Sequence, residues 1–284
     1  MRTIARACCI ATLALSGSTS ALPIHDAVRN GDMKAVTEIL TKDPGMAIAA
    51  DDSGLAPLHW AAEGDRTDIV QLLIASGAGV NDRSKDGTTP LHHAIAAERI
   101  SMATFLLSHG AGINARSNIG MTTLAYAVAA DNVSEVGMLL DRNADPNIAA
   151  DQGLTPLLLA TQKRNSSELI ALLLDHGARI DEADSVGFTA LMEAVKMGNQ
   201  GAVTVLLSRS ASLSKYDIAR FTALHLAAYN GRLAIAKMLV SNGALPDAQD
   251  ENGKTPCDIA RVEGKSETAR YLCGLRHENE GGRQ

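Results

Sequence analysis

The stretch Gly87–His92 (GTTPLH) decides the fold, because close copies of it recur along the chain at a nearly constant spacing. We call the residue that opens each copy the anchor. The spacing between successive anchors is 33 residues, except for one interval of 34. The anchors are Gly54, Gly87, Gly120, Gly153, Gly187, Arg220 and Gly253. A period of this length indicates a chain built from small stacked units, each too small to bury its own apolar surface, and not one large core.

Each copy predicts a pair of helices. The Thr before Pro90 is suited to cap a helix, and Pro is tolerated in the first turn because its missing N–H would have no partner there. A Leu-Leu pair such as Leu72-Leu73 follows and marks the apolar face of a second helix. Gly77 follows this helix, at a position where a left-handed backbone conformation is expected to end it.

The whole unit, Gly-x-Thr-Pro-Leu-His…Leu-Leu…Gly-Ala, resembles the ankyrin repeat, and seven copies in phase carry the resemblance. It implies an all-α ankyrin-repeat solenoid of stacked helix-turn-helix units with short finger loops. The predicted domain spans 22–276 and is followed by a polar tail at 277–284. Within it we expect an N-terminal cap at 22–52, repeats at 53–85, 86–118, 119–151, 152–185, 186–218 and 219–251, and a C-terminal cap at 252–276.

The first 21 residues have the pattern of a signal peptide. Arg2 and Arg6 precede a short apolar run at 7–15, and small residues follow up to Ala21, near which cleavage is expected. The apolar run is too short to span a bilayer, and no later stretch has the length that a membrane helix needs. The sequence therefore predicts an exported protein, periplasmic or secreted, that has lost Cys8 and Cys9.

Composition argues against nucleic acid as a partner. The chain carries 26 Lys and Arg against 32 Asp and Glu, a net charge of −6, which becomes −8 after the predicted cleavage removes two arginines. Phosphate recognition normally needs a basic footprint, and aromatic residues, at 3%, are too few for base-stacking platforms. We expect a monomer that binds a protein.

Three histidines, His59, His92 and His225, occupy the same position of the motif. They are too far apart in sequence to suggest one metal site, and the resemblance implies a structural role, with hydrogen bonds along the stack to the motif Thr. Catalytic and nucleotide-binding motifs are not found, and the acidic residues do not form a recognisable pair. The sequence predicts no catalytic residue, no metal and no cofactor.

Cys257 and Cys273 are the two cysteines that remain after cleavage. Cys257 replaces the motif Leu and Cys273 replaces the second Leu of the pair, so the two side chains should face each other within the last unit. A disulfide fits an oxidising compartment, and two small buried thiols fit the positions equally well. Both interpretations stay open.

A partner is expected on the concave side, formed by the turn tips and the first helices. The predicted contact residues are apolar and lie at the tips or on the first helices: Ile119, Met121, Leu154, Val186, Phe188, Met197, Phe221 and Tyr229. Exposed aromatic and Met side chains often anchor interfaces. The alternative is that neighbouring tips bury these groups within the stack.

The junction before the last full repeat is irregular, since Ser210 replaces a helix-ending Gly and Arg220 replaces an anchor Gly. It is either a weak joint or a partner contact. The predicted function is a non-catalytic scaffold for protein–protein interaction in an exported compartment. The alternatives are a secreted effector that binds a host target and an accessory protein or inhibitor of a periplasmic enzyme.

Overall fold

The computed structural model describes residues 22–163 and 166–281, and the predicted signal peptide lies outside these residues. The described residues contain 16 α-helices and no regular strand, which confirms the all-α repeat fold. Isolated bridges, Arg116 to Thr122, Ala183 to Thr189 and Tyr216 to Thr222, close three of the hairpins between repeats. The helices belong to two compact units, one up to Asp151 and one from Gln152 onward.

The described part of unit 1, residues 22–151, contains four pairs of helices. They are α1 (Pro23–Asn30), α2 (Met33–Lys42), α3 (Pro57–Glu63), α4 (Thr67–Ala75), α5 (Pro90–Ala96), α6 (Ile100–Ser108), α7 (Thr123–Ala129) and α8 (Val133–Asp141). A turn of 3-10 helix at Pro44–Ile48 follows α2. The first helices α1, α3, α5 and α7 pack in sequence, and each second helix packs on its own first helix.

Unit 2, from Gln152 onward, repeats this arrangement. Its helices are α9 (Pro156–Thr161), α10 (Ser167–Asp175), α11 (Ala190–Met197), α12 (Gln200–Ser208), α13 (Ala223–Tyr229), α14 (Leu233–Ser241), α15 (Pro256–Val262) and α16 (Ser266–Gly281). The helix α16 continues past residue 276, where the C-terminal cap was expected to end, into the predicted polar tail. Glu278 and Glu280 in this segment have high helix propensity, so the polar composition does not end the helix.

Local chemistry places the helix ends. Pro90 is the first residue of α5, and Thr89 before it has an extended backbone, as an N-cap requires. Gly77, after α4, has φ +97°, which confirms the predicted left-handed position. The anchor Gly187 has φ +86°, and a Cβ added there would lie 2.9 Å from the Cα of Asp217 in the next hairpin. The anchor therefore needs glycine both for its conformation and for the close approach of the next repeat.

The core of each unit consists of buried Leu, Ile, Val and Ala between the two helix layers. One position in unit 1 departs from this pattern. Ile69, Met102 and Glu135 occupy the same place near the start of their second helices, and all three have no exposed surface. Neither carboxyl oxygen of Glu135 has a hydrogen-bond partner. Burial, with the negative charge of Glu98 as a second cause, raises the pKa of Glu135 from 4.5 to about 7.

Candidate functional site

The motif histidines hold the ends of the first helices and link adjacent repeats. In unit 1 the backbone N–H of Thr89 donates to Nδ1 of His92 at 3.2 Å. This bond makes Nδ1 the acceptor, so Nε2 carries the proton and donates to the carbonyl oxygen of Met121 in the next repeat at 3.3 Å. His59 pairs in the same way with Ala56 and with the carbonyl of Thr88. The bond along the stack is therefore accepted by the tip carbonyl of the next repeat and not, as predicted, by the motif Thr, which bonds to the histidine of its own repeat.

The same arrangement recurs in unit 2, where His225 accepts from the N–H of Thr222 and bonds to the carbonyl of Lys254 at 3.2 Å. Burial lowers the pKa of His59 and of His92 to about 4 and also lowers the pKa of His225. A neutral ring is what the two hydrogen bonds require, since Nδ1 must keep its lone pair. These histidines therefore serve the stack and are not placed to bind a ligand.

A hydroxyl, an imidazole and a carboxylate do meet at one place in unit 1. Oγ1 of Thr88 lies 3.1 Å from Nε2 of His93, and Nδ1 of His93 lies 3.4 Å from Oε2 of Glu63. The Thr88 hydroxyl is buried and also contacts Ser84 and Asp86, while its own backbone N–H donates to Asp86. A nucleophile must reach a substrate and an oxyanion needs an available donor. The cluster instead ties the hairpin to α3 and α5.

The predicted contact residues of unit 1 separate into one exposed and one buried side chain. Ile119, just before the anchor, has 45% of its surface exposed. Met121, just after the anchor, has only 3% exposed, so its prediction as an exposed contact is corrected. Leu55 and Thr88 at the same position are also buried. The left-handed anchor turns the chain inward, so the following side chain packs under the hairpin.

The position after the anchor is also turned inward in unit 2. Leu154, Phe188 and Phe221 are half-buried there. The Phe221 ring stacks on His225, with 5.4 Å between ring centroids, so it packs against its own first helix. The contact shown for this position is thus with the repeat's own first helix, whereas the predicted alternative was cover by neighbouring tips.

The remaining predicted residues of unit 2 are exposed: Val186 at the first hairpin tip, Met197 at the end of α11 and Tyr229 at the end of α13. The Lys196 ammonium lies over the Phe188 ring, 5.0 Å from its centroid, so the end of α11 and the hairpin tip share one side of the unit. Tyr229 and Val262 occupy the place of Lys196 in the next two repeats and therefore face the same side.

Sequence reasoning omitted three exposed residues of this side from the contact set. They are Tyr216 and Ile218 at the second hairpin tip and Val262 at the end of α15. The N–H of Ile218 donates to the carbonyl of Val186 at 3.1 Å, so the two tips are adjacent. We call Val186, Met197, Tyr216, Ile218, Tyr229 and Val262 the exposed apolar face. The alignment of Val262 with Tyr229, 33 residues earlier, was the available signal.

Arg220 of the irregular junction lies at the second hairpin tip, within this face, whereas Ser210 follows the second helix α12. Ser210 has φ +64° and Arg220 has φ +58°, so both keep the left-handed conformation that glycine adopts at the equivalent positions. For a residue with a Cβ this conformation costs on the order of 1 kcal/mol. The Arg220 guanidinium lies over the Tyr216 ring, 5.5 Å from its centroid.

The two cysteines of the last helix pair are joined in the structure. A disulfide connects Cys257 in α15 to Cys273 in α16, with 5.1 Å between the Cα atoms. The link closes a loop across the two helices of the last pair. Cys257 is only 2% exposed, so the link takes no part in the exposed apolar face.

Comparison with known proteins accounts for the repeat pattern. The family model described as ankyrin repeats (3 copies) matches residues 24–117, 68–150 and 124–217, and a second one, ankyrin repeats (many copies), matches 206–260. The chain belongs to the ankyrin-repeat family. Ankyrin repeats generally mediate protein–protein interaction, and the family is generally a non-catalytic scaffold.

One curated ankyrin-repeat relative is the human 26S proteasome non-ATPase regulatory subunit 10. It is 30% identical to this chain over 69 residues, which cover 24% of this chain and 30% of that subunit. The chain thus matches less than a third of the relative's length, and the likeness concerns the repeats.

In residues 22–163 and 166–281, no group of three or more His, Cys, Asp or Glu side chains is arranged to hold a metal ion. Within the same part of the chain, every helix is too short or too polar to cross a membrane.

Proposed function

We propose that this ankyrin-repeat protein is a non-catalytic interaction module of an exported compartment, which binds a partner protein through the exposed apolar face of unit 2. The observation that carries the proposal is the gathering of six exposed large apolar side chains on one side of this unit. Ile218 is the most exposed of them, at 76%. Clustered exposed apolar groups are unusual on a soluble surface and mark interaction sites.

Unit 1 offers a comparison within the same chain. At the ends of its first helices, the places equivalent to Tyr229 and Val262 hold Glu63, Ala96 and Ala129. These are small or charged residues, which contribute little to a hydrophobic interface. The repeat framework therefore does not require large apolar side chains at this position, and their presence in unit 2 favours a binding role.

The exported compartment rests on two features. The N-terminal residues have the charge and hydropathy of a signal peptide, and the disulfide between Cys257 and Cys273 is of a kind that persists in oxidising compartments. Fractionation into cytoplasm, periplasm and medium, with the intact mass of the recovered protein, tests this part. Recovery of the full-length chain from the cytoplasm alone would refute it.

Site-specific photocrosslinking tests the face. A photoreactive amino acid is placed at Ile218 or Tyr229, and in a matched control at Leu245, which is also a highly exposed apolar residue of unit 2 but follows the second helix α14. Irradiation in cells should give the same protein adduct from positions 218 and 229 and none from 245. Equal adducts from all three positions, or none from 218 and 229, would refute the proposed face.

Substitution distinguishes the apolar contacts from the hairpin framework. Ile218→Ser together with Tyr229→Ser should abolish the adduct trapped from a third position such as Val262, since two exposed apolar groups are lost. The Phe188→Ala, Phe221→Ala pair should weaken the adduct less, because these half-buried rings act mainly by holding the hairpins. A stronger effect of the phenylalanine pair would instead place the contact at the base of the hairpins.

A further inference from the structure

The second hairpin tip of unit 2 combines apolar and basic groups. Residues 215–220 read KYDIAR, and Lys215, Tyr216, Ile218 and Arg220 are exposed. The Arg220 guanidinium lies over the Tyr216 ring, and the Lys196 ammonium lies over Phe188 on the same side. Each cation thus rests on an aromatic face and remains open to solvent on its other side.

The acidic groups between these cations are engaged by the backbone. Oδ1 of Asp217 accepts from the N–H groups of Ala219 and Phe221, both at 2.9 Å. Oδ1 of Asp184 accepts in the same way at the preceding tip, from Val186 and Phe188. These aspartates are half-buried parts of their turns, so they present less charge to a partner than the exposed cations do.

Two more acidic residues reduce the positive charge on this side of unit 2. Glu193 bonds to Lys196 at 2.9 Å, but its carboxylate side chain is 9% exposed against 44% for the lysine. At the third tip, exposed Glu251 offsets exposed Lys254. The basic excess is therefore concentrated at the second tip and at Lys196. It is local, because the whole chain carries a net charge of −6.

The anchor position adds an independent observation. Six of the seven anchors are glycine with φ between +73° and +86°, and Arg220 alone keeps a left-handed backbone there with a large side chain. Strained backbone is found more often at functional sites, where the surrounding structure holds it in place. The purpose that the surroundings indicate is to hold a positive charge beside Tyr216 and Ile218.

We propose that the partner segment recognised by this face is acidic and apolar, with carboxylates that meet Arg220, Lys215 and Lys196 while its apolar side chains cover Ile218 and Tyr229. This inference rests on the proposed function, since it assumes that the exposed apolar face binds a protein. Charge complementarity of this kind selects among partners and speeds their association more than it adds affinity. Arginine is suited to the role because its guanidinium can receive a carboxylate at its edge while its face stays on the ring.

The test uses three short fluorescent peptides that differ in charge alone. In the first, Leu and Phe alternate with Glu, and in the other two the Glu positions hold Gln or Lys. Binding to the full chain is followed by fluorescence anisotropy. The acidic peptide should bind about tenfold more tightly than the Gln peptide, and this advantage should shrink as salt rises from about 0.1 M to about 1 M, where the screening length falls from about 10 Å to about 3 Å.

Arg220→Gln should remove most of this advantage, and Arg270→Gln should keep it. Arg270 is a matched control, an exposed arginine on α16, the second helix of the last pair. Equal binding of the acidic, neutral and basic peptides would refute the acidic partner segment but not binding through the exposed apolar face. Tighter binding of the basic peptide, or no binding of any peptide, would also refute the acidic partner segment. The crosslinking at Ile218 and Tyr229 then decides separately whether the proposed function fails.

Discussion

Replacing Glu135 by Gln removes an ionisable group from the core of unit 1 with little change in size. The Glu135 side chain is fully buried without a hydrogen-bond partner, and its pKa rises from 4.5 to about 7. Between these values the folded chain keeps a proton that the unfolded chain has released, so the free energy of unfolding falls as pH rises. At about 1.4 kcal/mol per pH unit, the wild-type chain has lost about 3 kcal/mol once the pH is above 7.

Urea unfolding of wild type and Glu135→Gln at about pH 5 and about pH 8 measures this loss directly. The stability advantage of the variant should grow by about 2.5 kcal/mol between the two pH values. Histidines titrate alike in both proteins, so their contribution cancels in the difference. Glu38→Gln, at an exposed position of α2, is the matched control and should show no such growth.

Glu135→Leu extends the test, because Leu169 occupies the equivalent place in unit 2. This variant should be more stable than Glu135→Gln at both pH values, since a buried amide without partners still costs about 1–3 kcal/mol. If the advantage of Glu135→Gln is the same at both pH values, Glu135 is ionised in the native core at no cost. The account of its burial would then be refuted.

The remaining predictions concern acid, the disulfide and the irregular anchor. The pKa of His59 and of His92 falls to about 4, so the unfolded chain binds protons at these histidines at a higher pH than the folded chain does. Each histidine should therefore lower the free energy of unfolding by about 3 kcal/mol as pH drops from 6.5 to about 4. His92→Gln should flatten this part of the stability profile, and an unchanged profile would contradict the account. Reduction of the disulfide should make the thiols of Cys257 and Cys273 available for alkylation. It should also destabilise the last helix pair by about 3 kcal/mol, measured as faster hydrogen exchange in α16. Alkylation of both cysteines in the native exported protein before reduction would contradict the disulfide. Arg220→Gly should raise the free energy of unfolding by about 1 kcal/mol and lower the affinity for the acidic peptide. Unchanged affinity would show that Arg220 does not have the proposed role.

Local interactions explain how much of the fold could be predicted from sequence. The Thr-Pro start of α5 and the glycine that ends α4 act within one helical turn, so their residue types indicate the helix ends directly. The 33-residue period then indicates that every unit packs on a similar neighbouring unit. For the same reason the left-handed backbone at Arg220 could be predicted from the six glycines at equivalent anchors.

The candidate site was less predictable, because exposure depends on the neighbouring repeat. Met121 and Ile119 both flank an anchor glycine, and sequence alone treated them alike as exposed tip residues. The structure buries Met121 and exposes Ile119, since the hairpin turns one side chain toward the next repeat and the other away from it. Tyr216 and Ile218 were not part of the predicted contact set, although the hairpin leaves them open to solvent.

The helix pairs, their number and phase, the family and the place where cysteines could pair all follow from the residue pattern. Which side chains are exposed, and which have shifted pKa values, depends on how the repeats pack. Glu135 shows the difference most clearly. A glutamate in the first turn of a helix is favourable by local rules, because the helix dipole stabilises its charge. Packing of the repeats removes that carboxyl from water, and desolvation outweighs the dipole, so the pKa rises.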